Sequence, residues 1–203
     1  MFVRLIIFLI NMSKMKIAVL SLFALIISSF TPPSVPIESG FHYGSIWKEF
    51  NSYGGKFRIL TPTGEMVEKV SKMKTDIGDM DYHQYIYQPV EKTADNVFYL
   101  VNYCDYPKGT FPKDSTELIQ AFLDSTVDES VESVKGKLTY QSDIQWLTHK
   151  GKIWRVQYNN DKVSVKNKCF IANDRFYLLQ VMTLKEHFLN TAMDKFLDSF
   201  YMF

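Results

Sequence analysis

The chain has 203 residues, 46% hydrophobic and 15% aromatic, enough for a packed core and unlike a disordered composition. Charged residues make up 22%, the formal net charge is +1, and no dense basic run occurs. That excludes a nucleic-acid reader built on a basic stripe.

The opening stretch, "MFVRLIIFLINMSKMKIAVLSLFALIISSF", holds two apolar runs separated by a short basic patch. From Met12 it shows Lys14 and Lys16, then an apolar run from Ile17 to Ile27, then Ser28 and Ser29. Basic, apolar and small residues in that order make a secretory signal, and the run is short for a membrane span. Residues 1–29 are therefore read as a signal peptide, with Met12 or Met15 as the start and Met1–Asn11 as an upstream extension. An uncleaved anchor stays open as the alternative, because no A-x-A cleavage site stands out. No cysteine follows the run, so a lipid anchor on a lipobox cysteine is not available. Losing Arg4, Lys14 and Lys16 with this segment takes the net charge from +1 to −2. Residues 30–42 carry Pro32, Pro33 and Pro36 and read as an extended linker. Residues 43–203 are expected to form a single domain.

"GGKFRIL" (Gly54–Leu60) reads as a strand stopped by Pro62 and Gly64. "DYHQYIYQPV" alternates, with Tyr82, Gln84 and Ile86 on one face and His83, Tyr85 and Tyr87 on the other. Both faces are apolar or aromatic, as in a sheet covered on each side. "NVFYLVNYCDY" is the most continuous apolar run and is expected to be a central, buried strand. From Asp114 to Val134 the period becomes helical, through Leu118, Ile119, Phe122, Leu123, Val127 and Val131. Asp114 or Ser115 is expected to cap that helix, with Glu117 reciprocating. Four strand-like runs follow, "LTYQSDIQWLT", "KIWRVQYN", "KVSVKNKCFIA" and "RFYLLQVMT", separated by "HKG", "NND" and "ND". Gly, Asn and Asp there tolerate the positive φ of hairpin turns. A closing helix is expected to dock through Leu189, Met193, Phe196, Leu197 and Phe200, with Thr191 and Asp194 as a capping box. Short links imply antiparallel pairing. The class is α+β: an antiparallel sheet of about six to seven strands flanked by helices.

Candidate chemistry is sparse. No pair among His42, His83, His149 and His187 has the i, i+4 spacing of a helical metal site, and no metal or cofactor is expected. Asp76, Asp79 and Asp81 lack an EF-hand frame and read as a solvated turn. Cys104 beside Asp105 lacks the adjacent base and the lowered pKa that a nucleophile needs. Cys104 and Cys169 sit in apolar strands and read as buried free thiols, though their spacing leaves a disulfide open. No catalytic residue is assigned. Pro107 ends its strand, and Asp105 is expected to bond to backbone in the turn toward Lys108 and Gly109. Tyr103, Asp105 and Tyr106 are the candidate binding residues, lining a shallow surface groove.

"WKEFNSYGGKFRILTPTGE", with Trp47, Phe50, Gly54, Gly55, Phe57 and Pro62, resembles the opening of small exported bacterial proteins of unknown function. "DNVFYLVNYCDYP", with Tyr103, Asp105, Tyr106 and Pro107, resembles their central strand, and "VKNKCFIANDRFYLLQVMT" with "FLDSF" their closing hairpin and helix. The likeness runs through nearly all of the chain after the linker. In fold it is similar to the PsbP-like superfamily, which includes DcrB-type proteins, and it implies an α/β/α sandwich whose members mostly bind partners and do no chemistry. The resulting expectation is an exported, periplasmic or secreted, non-catalytic binding or accessory module. Its partner would be a protein or a small molecule, not nucleic acid, and a membrane only if the signal is uncleaved. A hydrolase or metal-dependent enzyme whose site assembles only in three dimensions stays open, as does a membrane-tethered structural protein.

Overall fold

The computed structural model describes residues 46–203 apart from 76–77, 90–93 and 113. The signal-peptide and linker readings lie outside the described residues, as do His42 and Asp76. In chain order the elements are β1 (Trp47–Ser52), β2 (Phe57–Pro62), β3 (Val67–Thr75), β4 (Gly78–Tyr87), β5 (Asn96–Asp105), α1 (Thr116–Ser133), β6 (Lys137–Trp146), β7 (His149–Tyr158), β8 (Val163–Ala172), β9 (Arg175–Leu184), a 3-10 turn at Lys185–His187, α2 (Thr191–Asp198) and β10 (Tyr201–Met202). β3, β4, β5, β9, β8, β7 and β6, in that spatial order, form a seven-stranded sheet. Every pair in it is antiparallel. β1, β2 and β10 form a separate small sheet.

The large sheet is covered on both faces, as the two apolar faces of "DYHQYIYQPV" require. On one face Phe122, Leu123 and Val127 of α1 pack against Tyr82, Cys104, Trp154, Cys169, Phe176 and Leu178. Trp154 is fully buried there, and its indole Nε1 donates to Ser130 Oγ at 2.7 Å, tying β7 to α1. On the other face Met193, Phe196, Leu197 and Phe200 join Phe57 and Ile59 of the small sheet over Tyr99, Val101, Tyr177, Leu179 and Val181. The Leu60 amide donates to Ser199 Oγ at 2.9 Å, so α2 and β2 form one layer. The result is the expected α+β sandwich, with a small sheet added to one helical layer.

The four-strand meander is present as read, but its turns differ. Two of them use Asn and Asp at positive φ: Asn159, Asn160 and Asp161 between β7 and β8, and Asn173 between β8 and β9. The β6–β7 turn is Leu147–Thr148, not "HKG", and Leu147 takes φ 52°. His149 and Gly151 are strand residues instead. Gly151 is needed for close approach: a Cβ there would lie 2.2 Å from the Cys169 carbonyl oxygen.

β5 is an interior strand as read, paired with β4 on one side and β9 on the other and almost wholly buried. Three further expectations are corrected. Gly54 and Gly55 belong to the β1–β2 turn, and the strand starts at Phe57. Ser115 is the N-cap of α1 but makes no side-chain cap bond, and Asn190, not Thr191, caps α2 by accepting from the Met193 amide at 2.8 Å. Leu189 is 85% exposed, because it precedes the cap and lies outside the docked stripe. The rest of the α2 reading holds: Met193, Phe196, Leu197 and Phe200 are buried.

Candidate functional site

Strand alternation sends Tyr103 and Tyr106 into different layers. Tyr103 lies in the α2-side cluster. Tyr106 lies past the strand end in the α1-side cluster, edge-to-face with Phe111 and Phe122. The structure therefore brings Tyr103 and Asp105 together and leaves Tyr106 in the other core, so these three residues do not line one groove. The turn backbone is held by Asp174, not Asp105: its carboxylate accepts from the Gly109 amide at 2.9 Å and the Phe111 amide at 3.0 Å.

Asp105 has a different role. It stands opposite Arg175 in the β5–β9 ladder, and the guanidinium holds it with two bonds, Nε to Oδ1 at 2.5 Å and Nη2 to Oδ2 at 2.6 Å. Such a forked pair fixes orientation as well as charge. The same guanidinium lies 4.6 Å from the Tyr103 ring centroid and donates to the Gly54 carbonyl at 2.9 Å. His83, opposite Tyr103 in the β4–β5 ladder, stacks on the same ring at 4.3 Å and 6°. Glu68 of β3 lies 3.5 Å from His83 Nδ1 and accepts from the Tyr85 hydroxyl at 2.9 Å. Ser52 Oγ donates to the Tyr85 oxygen, the Gly55 amide donates to Ser52 Oγ, and the Tyr177 hydroxyl donates to the Gly55 carbonyl at 2.7 Å. Gly55 is what lets this turn close, since a Cβ there would lie 2.6 Å from the Phe57 ring and 2.8 Å from Ser52 Oγ. The β1–β2 turn is thus pinned to β4, β5 and β9 by a polar network around Tyr103.

The electrostatics favour holding over reacting. Burial, then the charge of Tyr85, pushes the Tyr103 phenol up. Burial pushes the Cys104 and Cys169 thiols up to about 12, away from the thiolate a nucleophile requires. Among the described residues no group of three or more His, Cys, Asp or Glu side chains is placed to hold a metal ion.

Beside this network the sheet end is aromatic and exposed. Tyr53, at the β1–β2 turn, is 82% exposed and touches Phe203, itself 55% exposed. Tyr201 packs edge-on to Trp146, which stacks on His149, and the Arg58 guanidinium lies 4.6 Å over the Tyr201 ring. Leu147, at the tip of the next hairpin, is 72% exposed. Sequence reading missed Arg175, His83, Glu68 and this aromatic end. The alternation of β4 placed His83 on a packed face, but nothing local links it to Arg175.

No protein-family model matches the chain, and no curated protein does. Among solved structures, cyanobacterial PsbP (CyanoP) from Synechocystis sp. PCC 6803 is similar at TM-score 0.52 and 12% identity, over 83% of this chain and 99% of that one. PA94 from Pseudomonas aeruginosa, a protein of unknown function, aligns at TM-score 0.33 and 9% identity, over 70% of this chain and 85% of that one.

Proposed function

We propose that this chain, whose fold is PsbP-like, is an exported non-catalytic binding or accessory module that holds a partner protein against the aromatic end of its sheet. A PsbP-like fold fits an accessory or binding role, and the basic–apolar–small order of residues 1–29 supports export. The observation that carries the reading is the convergence of Tyr53, Tyr201, Phe203, Trp146 and Leu147 from two turns, a hairpin strand and β10 onto one surface, with Arg58 against Tyr201. Tyr, Trp, Phe and Arg are the residues enriched where proteins bind proteins. The Arg175–Asp105–Tyr103 network fixes the β1–β2 turn that carries Tyr53, so the surface is held in shape before a partner arrives. Among the described residues no helix is long and apolar enough to cross a membrane.

Site-specific photocrosslinking in the native host tests this. A photoreactive phenylalanine at Tyr53 or Tyr201 should capture the same discrete protein. The same probe at Leu189, exposed and next to the Asn190 that bonds Asn96 at the other end of β5, should not. Equal capture at all three positions, or none at Tyr53 and Tyr201, refutes the reading.

A further inference from the structure

We propose that Met80, Cys104 and Met73 form a binding site for Cu(I) beneath α1. Cys104 Sγ lies 3.9 Å from Met80 Sδ. Met73 is the register partner of Met80 across the β3–β4 pair, and all three sulfur residues are buried in one cluster. Two sulfur–metal bonds of about 2.3 Å spanning that 3.9 Å open at about 116°, close to a trigonal angle, which leaves one position for a third sulfur.

The donor set selects the ion. Thiolate and thioether are soft ligands and suit Cu(I). Charge agrees. A monovalent ion with one thiolate and two neutral thioethers is neutral, whereas a divalent ion would leave an unpaired positive charge in the core. On binding, the Cys104 S–H bond breaks, an S–Cu bond forms, and the proton leaves to solvent. No electrons are transferred, and the buried charge is zero before and after.

A second observation points to a ligand at the same place. Tyr82 stands opposite Cys104 in the ladder, and Tyr106 follows two residues after it. Both phenol oxygens are buried without a hydrogen-bond partner among the described residues. An unpaired buried hydroxyl is costly, and a metal-bound thiolate is an acceptor for one. β3 is an edge strand, so the site lies close to the sheet margin. It belongs to the α1-side core, whereas the aromatic end draws on the α2-side layer, so this inference stands apart from the partner reading.

The test is anaerobic titration of the purified chain with Cu(I) against a Cu(I)-selective chelator. Wild type should take up Cu(I) at this site. Cys104→Ala and Met80→Leu should each weaken uptake by more than the roughly tenfold typical of losing an outer partner. Met73→Leu should weaken it as well. Cys169→Ala is the control: that thiol is equally buried, but its hydrogen bond is to the Lys152 backbone. Far-UV circular dichroism shows that each variant is folded. Should Cys104→Ala fail to fold, Met80→Leu decides alone, because it conserves volume. No uptake by wild type, wild-type affinity in Met80→Leu, or equal losses in Cys169→Ala and Cys104→Ala overturns the proposal.

Discussion

Cys104 and Cys169 lie in the same core on β5 and β8, with β9 between them, and both thiols are free. With both pushed up to about 12 by burial, the native chain should be inert to a thiol-selective disulfide reagent at about pH 8, and both thiols should react once denatured. Rapid reaction of the native chain would show that one of them is reachable. Lys152 makes a different case. Its side chain is almost wholly buried, yet its ammonium reaches Asp124 at 2.5 Å and Asp143 at 3.0 Å. Burial lowers its pKa, and the bonds to Asp124 and Asp143 outweigh that and leave it raised. Asp143 is lowered, chiefly by its hydrogen bond to Lys152. The lysine's contribution is therefore full below its ordinary value and fades only as pH climbs through the raised one. The Asp143 contribution is present above the ordinary carboxylate range, near 3.9, and fades as pH falls through the lowered value. Lys152→Met keeps the packed stem and removes the partner. Urea midpoints should shift in favour of Lys152→Met between about pH 7 and pH 3, and a constant difference would show that the pair is uncoupled.

At the scale of elements, α2 is a short helix, and its docking supplies most of what holds it. Phe196 is fully buried against Tyr99, with ring centroids 5.0 Å apart. Phe196→Ala should cost about 3 to 5 kcal/mol, read from urea melts. Asp198→Ala should cost within about 1 kcal/mol, because its carboxylate, paired to Lys168 at 2.9 Å, is mostly solvent-exposed. Leu189→Ala should change nothing measurable. Asn190→Ala should cost about 1 to 2 kcal/mol through the lost cap and the lost bond from its side-chain amide to Asn96 Oδ1 at 3.0 Å, and Thr191→Ala much less. Equal effects at 190 and 191 would reinstate the Thr191 cap. On the opposite side, Gly151→Ala forces a methyl group onto the β8 backbone. It should lower stability by about 2 to 3 kcal/mol, where a hairpin-turn glycine would have tolerated the change.

For the whole molecule, one sheet serves two cores, so neither layer is expected to melt alone. Trp154 reports on the α1 side. With Trp47 and Trp146 changed to Phe, it is the sole tryptophan, and its fluorescence transition in urea should coincide with loss of far-UV circular dichroism. Separate midpoints would mean that the layers unfold independently. Much of this architecture was legible in the chain. The period of 2 in the meander, the period of 3.6 around Phe122 and Phe196, and the Asn and Asp turns are properties of contiguous residues, and local sterics and amphipathicity decide them. The antiparallel α+β class follows from those periods and the short links.

What tertiary structure alone decided is which surfaces meet. Tyr103 and Tyr106 are close in sequence and lie in opposite cores, since pleat alternation and the turn after Asp105 set their faces. Arg175 reaches Asp105 across 70 residues, through a register set by the whole sheet. The aromatic end is assembled from the exposed Tyr53 and Tyr201 and the half-buried Trp146, three residues far apart in sequence. The Met80–Cys104 sulfur pair likewise exists only because β4 lies beside β5. Local periods determine elements because neighbouring residues share a backbone path. Sites made by long-range pairing depend on packing free energy summed over the entire sheet, and no short stretch of sequence encodes that sum.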